Sequence, residues 1–145
     1  MSIFGERLKE LIEDSNLTVT KLAKVSGITQ SKLSNWTRYD IMPATKSVIE
    51  VAGYFNCPVD FLLGRTETVK ANFSQKPDTC SDRLKVLIRA KNITQYRACA
   101  ELHIDTAMMT AWTKNGTLPS CDNLILLADY FDCSVDYLLG LSNGR

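Results

Sequence analysis

Between Ser15 and Tyr39 the sequence carries no aspartate or glutamate. Four basic residues, Lys21, Lys24, Lys32 and Arg38, fall in that window, whereas Glu6, Glu10, Glu13 and Asp14 precede it and Asp40, Glu50 and Asp60 follow. The net charge of +1 argues neither for nor against a polyanionic partner; its distribution concentrates basic charge on one stretch. Other absences exclude whole classes. One histidine, no glycine-rich phosphate loop, no nucleophile motif and no cluster at metal-ligand spacing leave an enzyme the least expected class, with no cofactor or metal. The five cysteines are odd in number, widely spaced and free of any C-x-x-C pair, which supports neither a disulfide framework nor a zinc site. Cys57 and Cys133 read instead as small buried hydrophobes. No apolar run approaches the roughly 18 residues that cross a bilayer. The start MSIFGERLKEL lacks a basic region followed by an apolar one, so no membrane partner is expected and the location is expected to be cytoplasmic. Hydrophobic and charged fractions of 45% and 23% exclude disorder and coiled coil as readings of the whole.

What is present, first, is a repeat. Sliding the chain by 76 residues lays Phe4–Thr66 on Cys80–Ser142 without a gap. Identities include Arg7 with Arg83, Leu8 with Leu84, Leu11 with Leu87, Asn16 with Asn92, Thr18 with Thr94, Trp36 with Trp112 and Pro43 with Pro119. A shared C-x-V-D-x-L-L-G closes each copy at Cys57 and Cys133. The boundaries expected are one domain over 1–66, a linker over 67–79 and a second, diverged domain over 80–145. The linker, ETVKANFSQKPDT, is polar and lacks helical periodicity.

Each copy reads as five helices. Ile3 to Asp14 places Phe4, Leu8, Leu11 and Ile12 on one apolar stripe at the 3.6 period, and Asp82 to Ala90 is its partner. In the stretch TVTKLAKVSGITQSKLSNW, Thr18 and Thr29 are placed to cap two short helices, with Gly27 at the corner. Lys46 to Tyr54 forms a fourth helix, and Val59 to Leu63 a last turn that ends at Gly64. With no competing period-2 segment, the fold class is all-α. Leu22, Ala23, Ile28 and Leu33 fall where the two central helices must touch. Gln30, Ser31, Lys32, Ser34 and Asn35 leave an outward surface of donors and acceptors, whose partner is either water or a polar macromolecule.

The string L-A-x-x-x-G-I-T-x-x-x-L-S-x-W, followed by proline seven residues after the tryptophan, resembles the phage lambda repressor and Cro-like helix-turn-helix family. Leu22, Ala23, Gly27, Ile28, Thr29, Leu33, Ser34, Trp36 and Pro43 carry it, and the resemblance recurs in the second copy. It implies two tandem five-helix lambda-repressor-like DNA-binding domains, each with its third helix in the major groove and its second crossing the backbone. By that resemblance Gln30, Ser31, Lys32 and Asn35 would read bases, and Thr18, Lys21, Thr29, Ser34 and Arg38 would meet phosphate. In the second copy Gln95, Arg97, Thr106, Thr110 and Lys114 are the weaker counterparts.

Departures from the family pattern fall in both copies. Val19 stands where a phosphate-binding glutamine is usual, and Tyr39 where a glycine is usual, so the following loop must take another shape or carry strain. In the second copy Thr94-Gln95 restores the usual helix start and Asn115 suits the left-handed loop position. Ala98, Cys99 and His103 replace the core leucine, the alanine and the corner glycine. Its third helix, DTAMMTAW, offers the groove little, and Met108 and Met109 suit a core or a protein contact. Trp36, Trp112, Asp60 and Asp136 read as structural residues, and His103 as a corner residue.

The leading expectation is a sequence-specific double-stranded DNA-binding transcriptional regulator, a repressor, that reads the groove with the helix Thr29 to Trp36. It would act as a homodimer or an intramolecular pseudo-dimer. The alternative is a protein-interaction regulator, antirepressor or antitoxin-like, in which the second copy mediates dimerisation or partner docking.

Overall fold

The structure, a computed structural model, describes residues 2–39, 41–75 and 77–144. Its elements are α1 (Ile3–Asp14), α2 (Val19–Ser26), α3 (Gln30–Arg38), α4 (Thr45–Phe55) and α5 (Val59–Leu62), then α6 (Cys80–Ala90), α7 (Gln95–Leu102), α8 (Thr106–Lys114), α9 (Cys121–Phe131) and α10 (Val135–Leu138). Among the described residues there is no strand. The chain divides into two compact units, Met1–Ala71 and Asn72–Arg145.

In the first unit α1 starts where the Ser2 hydroxyl accepts the Gly5 N–H at 3.1 Å, and it buries Phe4, Leu8, Leu11 and Ile12. The helix stops because Asn16 takes a left-handed conformation at φ 57°, which asparagine tolerates better than most residues. Phe4 meets Trp36 edge to face, with centroids 5.9 Å apart. Val48, Val51 and Ala52 of α4 close the core from below. Arg7 lies 4.3 Å over the Phe61 ring, and its guanidinium donates to the Thr66 carbonyl at 3.3 Å and to Glu67 at 2.9 Å.

The second unit repeats this plan with tighter polar fastening. Arg83, the counterpart of Arg7, is 4% exposed. It pairs with Asp78 at 3.0 Å, donates to the carbonyls of Tyr137 at 3.1 Å and Ser142 at 2.9 Å, and lies 4.1 Å over the Tyr137 ring. Cys80 occupies the place of Phe4, so Trp112 lacks an aromatic neighbour there; the Ser81 hydroxyl donates to its carbonyl instead. Gly140 has φ 79°, and a Cβ on it would run into the Asp78 carbonyl.

Several helix ends differ from the sequence reading. The helices α3 and α8 run on to Arg38 and Lys114 rather than stopping at Trp36 and Trp112. No breaker follows either tryptophan, and the next residue, Thr37 or Thr113, donates its hydroxyl to the carbonyl four residues back. The helix α6 begins at Cys80, not Asp82, because Thr79 caps it through the Asp82 N–H. Tyr39 is extended at φ −120° and ψ 155°, so its loop takes another shape without left-handed strain. In the second unit the left-handed loop residue is Gly116 at φ 73°, not Asn115, which stays at φ −99°.

Within the stretch read as a linker, Ala71 N–H donates to the Asn56 carbonyl at 2.9 Å and Ser74 N–H to that of Leu141 at 2.7 Å. With Glu67 held by Arg7 and Asp78 by Arg83, its ends are fastened, each to its own unit. Polarity of the sequence does not announce these bonds. Asp40, within the loop before Pro43, lies outside the described residues.

Candidate nucleic-acid interface

Capping sets the angle between α2 and α3. The Thr18 hydroxyl accepts the Lys21 N–H at 3.1 Å and that of Thr29 the Lys32 N–H at 3.3 Å, each answering an amide that no helical carbonyl reaches. Between them Gly27, at φ 80°, turns the chain, and Leu22, Ile28 and Leu33 are buried. Burial of Leu33, Trp36 and Thr37 fixes the inward side of α3. At 100° per residue this sends Ser31, Asn35 and Arg38 outward on one line, with Gln30 on the flank nearer α2 and Lys32 on the other.

The side chains stand accordingly. Gln30, Ser31, Lys32 and Arg38 are exposed, as are Thr18, Lys21 and Thr29, while Ser34 and Asn35 are half-buried. Gln30 donates its Nε2 to the Thr20 hydroxyl at 3.0 Å, which pins the amide against α2. Thr20 is a participant that the sequence reading omitted. Its second position in α2 was visible, but its reach to a residue ten positions on was not. The result is a ridge of hydroxyl, amide and cationic groups with no acid among residues 15–39.

The matching ridge of the second unit is engaged with itself. Gln95 donates to the Thr110 hydroxyl at 3.3 Å and accepts from the Thr113 hydroxyl at 3.1 Å, so both ends of its amide are bound within the unit. Arg97 pairs with Glu101 at 3.0 Å, and Glu101 also accepts from the Tyr130 hydroxyl. The Tyr130 hydroxyl bond, then Arg97, hold the Glu101 carboxyl below its usual range. Burial, with Glu101 adding to it, pushes Tyr130 up to about 12. Lys91 completes this network 4.3 Å over the Tyr130 ring. The Arg97–Glu101 spacing was legible as an i, i+4 pair; the contribution of Tyr130 was not. Thr106 and Lys114 are exposed, and Asp105 caps α8 by accepting the Ala107 N–H at 2.8 Å.

No three His, Cys, Asp or Glu side chains among the described residues converge as a metal site requires. All five cysteines are buried. Burial, with the neighbouring Cys133 adding to it, pushes the Cys80 thiol up to about 12. No helix among the described residues is long and apolar enough to cross a membrane.

Residues 8–62 match the family described as helix-turn-helix. The chain is also 32% identical over 68 residues to the HTH-type transcriptional regulator ImmR of Bacillus subtilis (strain 168). That alignment covers 47% of this chain and 54% of the relative, so the chain spans about half the length of the curated relative it matches. No solved structure matches the chain.

Proposed function

We propose that the protein is a sequence-specific double-stranded DNA-binding transcriptional repressor whose reading element is α3. One observation carries this reading: the exposed, acid-free ridge of α3 stands on a helix-turn-helix corner. A helix fits the major groove, where an amide such as that of Asn35 or Gln30 can bond adenine in bidentate fashion and Lys32 can reach guanine. Ser31 adds a short donor and acceptor beside them. Thr18, Lys21, Thr29, Ser34 and Arg38 would hold phosphates, which set register without reading sequence. The first-turn amides of α2, at Val19 and Thr20, have no helical carbonyl to bond and can serve a phosphate where Val19 lacks a polar side chain. Repression follows from occupancy, because a head seated in the groove excludes other proteins from the same duplex.

Both units are read as tandem five-helix domains of lambda-repressor-like plan, over 1–66 and 80–145, and the site of action as the cytoplasm. The family match over residues 8–62 and the regulator named above support this reading for the first unit, and the 76-residue repeat of the sequence extends it to the second. It is tested by selecting duplexes from a random pool with the full chain and with the Gln30→Ala/Lys32→Ala variant. Wild type should enrich one motif, with affinity that falls steeply as salt rises, because bound phosphates release counterions. Salt-independent binding, or an unchanged motif and affinity in the variant, would sink the reading.

A further inference from the structure

Resting on the reading of α3 as the DNA-reading helix, we propose that Thr20 is a positioning residue that presets the Gln30 amide for adenine and against guanine at one position of the duplex. Gln30 is the first residue of α3 and Thr20 the second of α2. Both are exposed, and the Gln30 Nε2 donates to the Thr20 Oγ1 at 3.0 Å across the corner. Threonine suits this task because its branched Cβ leaves few rotamers in a helix, so its oxygen is held where α2 puts it. Val19 beside it carries no side-chain acceptor. An untied glutamine keeps several free torsions, which must be frozen at the moment of binding.

The tie has a chemical consequence as well as an entropic one. A glutamine amide has two N–H donors on its nitrogen and one acceptor oxygen. With one N–H given to Thr20, the tied group presents one donor and one acceptor to the groove. Adenine shows the complement there, an acceptor at N7 and a donor at N6, whereas guanine shows two acceptors, N7 and O6. An untied amide can turn both N–H groups towards guanine; the tied one would set its oxygen against O6. Thr20 thus makes an adaptable side chain a selective one while leaving the base contact to Gln30. The repeat isolates this device in the first unit. In the second, Tyr96 and Thr106 take the places of Thr20 and Gln30. Gln95, in the place of Val19, is tied within its own unit to Thr110 and Thr113. Both halves of the Thr20–Gln30 pair are therefore missing together.

The test selects duplexes from a random pool with the full chain and its Gln30→Ala variant, then titrates the chosen duplex and its single-base variants at one fixed salt concentration. The position whose preference vanishes in Gln30→Ala is the one that Gln30 reads, and in wild type it should be adenine. Thr20→Val keeps the shape and removes the acceptor. It should lower the adenine-over-guanine affinity ratio at that position about five- to tenfold, the size expected for freeing one rotamer-rich side chain, and leave the other positions unchanged. Thr20→Ser keeps the hydroxyl and should retain the wild-type ratio. In a Gln30→Ala background Thr20→Val should change nothing, whereas a merely structural Thr20 would weaken binding in both backgrounds. Thr20 is exposed, and an unchanged urea midpoint verifies folding. A ratio indifferent to Thr20→Val, a Thr20→Ser chain that loses the ratio, or an equal loss in the Gln30→Ala background would overturn the proposal and leave α3 as the reading helix. So would a motif with no Gln30-dependent adenine. A wild-type chain that enriches no salt-sensitive motif would instead overturn the reading of α3, and the role of Thr20 with it.

Discussion

The helices α3 and α8 bury the same three places of the repeat, Leu33, Trp36 and Thr37 in one and Met109, Trp112 and Thr113 in the other. Their outward faces have little else in common. Ser31, Lys32, Asn35 and Arg38 on α3 correspond to Ala107, Met108, Ala111 and Lys114 on α8. The inward pattern therefore specifies the fold, and the outward pattern is free to change without disturbing it. The neighbouring helix reinforces the split. On α7, Gln95 is bound by Thr110 and Thr113 and Arg97 by Glu101, whereas on α2 the corresponding Val19 makes no such bridge and Lys21 is exposed.

The largest expected effect comes from transplanting one face onto the other unit. Ser31→Ala, Lys32→Met and Asn35→Ala together give α3 the outward residues of α8. They should reduce affinity for a selected duplex by about 100-fold or more, since a bidentate base contact alone is worth about 1–3 kcal/mol of discrimination. The reciprocal set, Ala107→Ser, Met108→Lys and Ala111→Asn, should leave the affinity for a single half-site within about threefold. Titrations at one fixed salt concentration decide between the two. Equal losses from both sets would erase the distinction between the units.

Next in size is the difference between Arg83 and Arg7. Arg83 is buried and bonds Asp78 and the carbonyls of Tyr137 and Ser142. Arg7 instead holds one carbonyl and a Glu67 carboxylate that is 90% exposed. Replacing Arg83 by Met strands the partly buried carbonyls of Tyr137 and Ser142 and should destabilise the second unit by about 2 kcal/mol. Arg7→Met should cost the first unit about 1 kcal/mol. Each unit has one buried tryptophan, so Trp36→Phe and Trp112→Phe backgrounds let fluorescence follow each unit alone in urea.

The two arginines also mark where sequence reasoning stops. Helix identity was legible because it depends on neighbours: the apolar stripe of α1, the threonine caps and the glycine corner all act within a few residues. The outward position of Ser31 and Asn35 followed from the same 3.6 period. The Arg83 bonds reach 54 and 59 residues along the chain, and no local pattern encodes them. The same holds for Gln95, whose restored family position suggested a phosphate contact although its partners are Thr110 and Thr113. Tyr39 shows a different limit. A glycine was expected from the pattern, but the backbone is extended there and admits a side chain.

Alkaline pH should separate the units by about 2 kcal/mol. The Cys80 thiol is pushed up to about 12 by burial, from an ordinary 9.0, whereas Phe4 at the same place in the first unit cannot titrate. A raised value means that the unfolded thiol ionises first, so this contribution is intact below pH 9 and falls away as pH climbs towards 12. By pH 10.5 the loss is about 2 kcal/mol, and Cys80→Ala should flatten the slope. Cys99 and Tyr130, also raised, add in the same direction. Urea melts of the two tryptophan variants from pH 8 to pH 10.5 test it; a first unit that weakens as steeply as the second would contradict the assignment to Cys80.

The smallest effect concerns the two corners. Gly27 sits at φ 80° and His103 at φ 56°, both left-handed. A Cβ on Gly27 would meet nothing within 4 Å, so Gly27→Ala introduces backbone strain and no collision. The left-handed conformation costs a non-glycine residue about 1–2 kcal/mol, and the stiffer unfolded chain returns about 0.4–1 kcal/mol. The net loss should be about 1 kcal/mol. His103→Gly runs the same difference backwards and should stabilise the second unit by about 0.5 kcal/mol, less than the mirror value because histidine tolerates this region better than alanine. Shifted urea midpoints at constant slope would register both changes. Opposite signs at the two corners are the expectation; a destabilising His103→Gly would mean that the histidine side chain itself supports the turn.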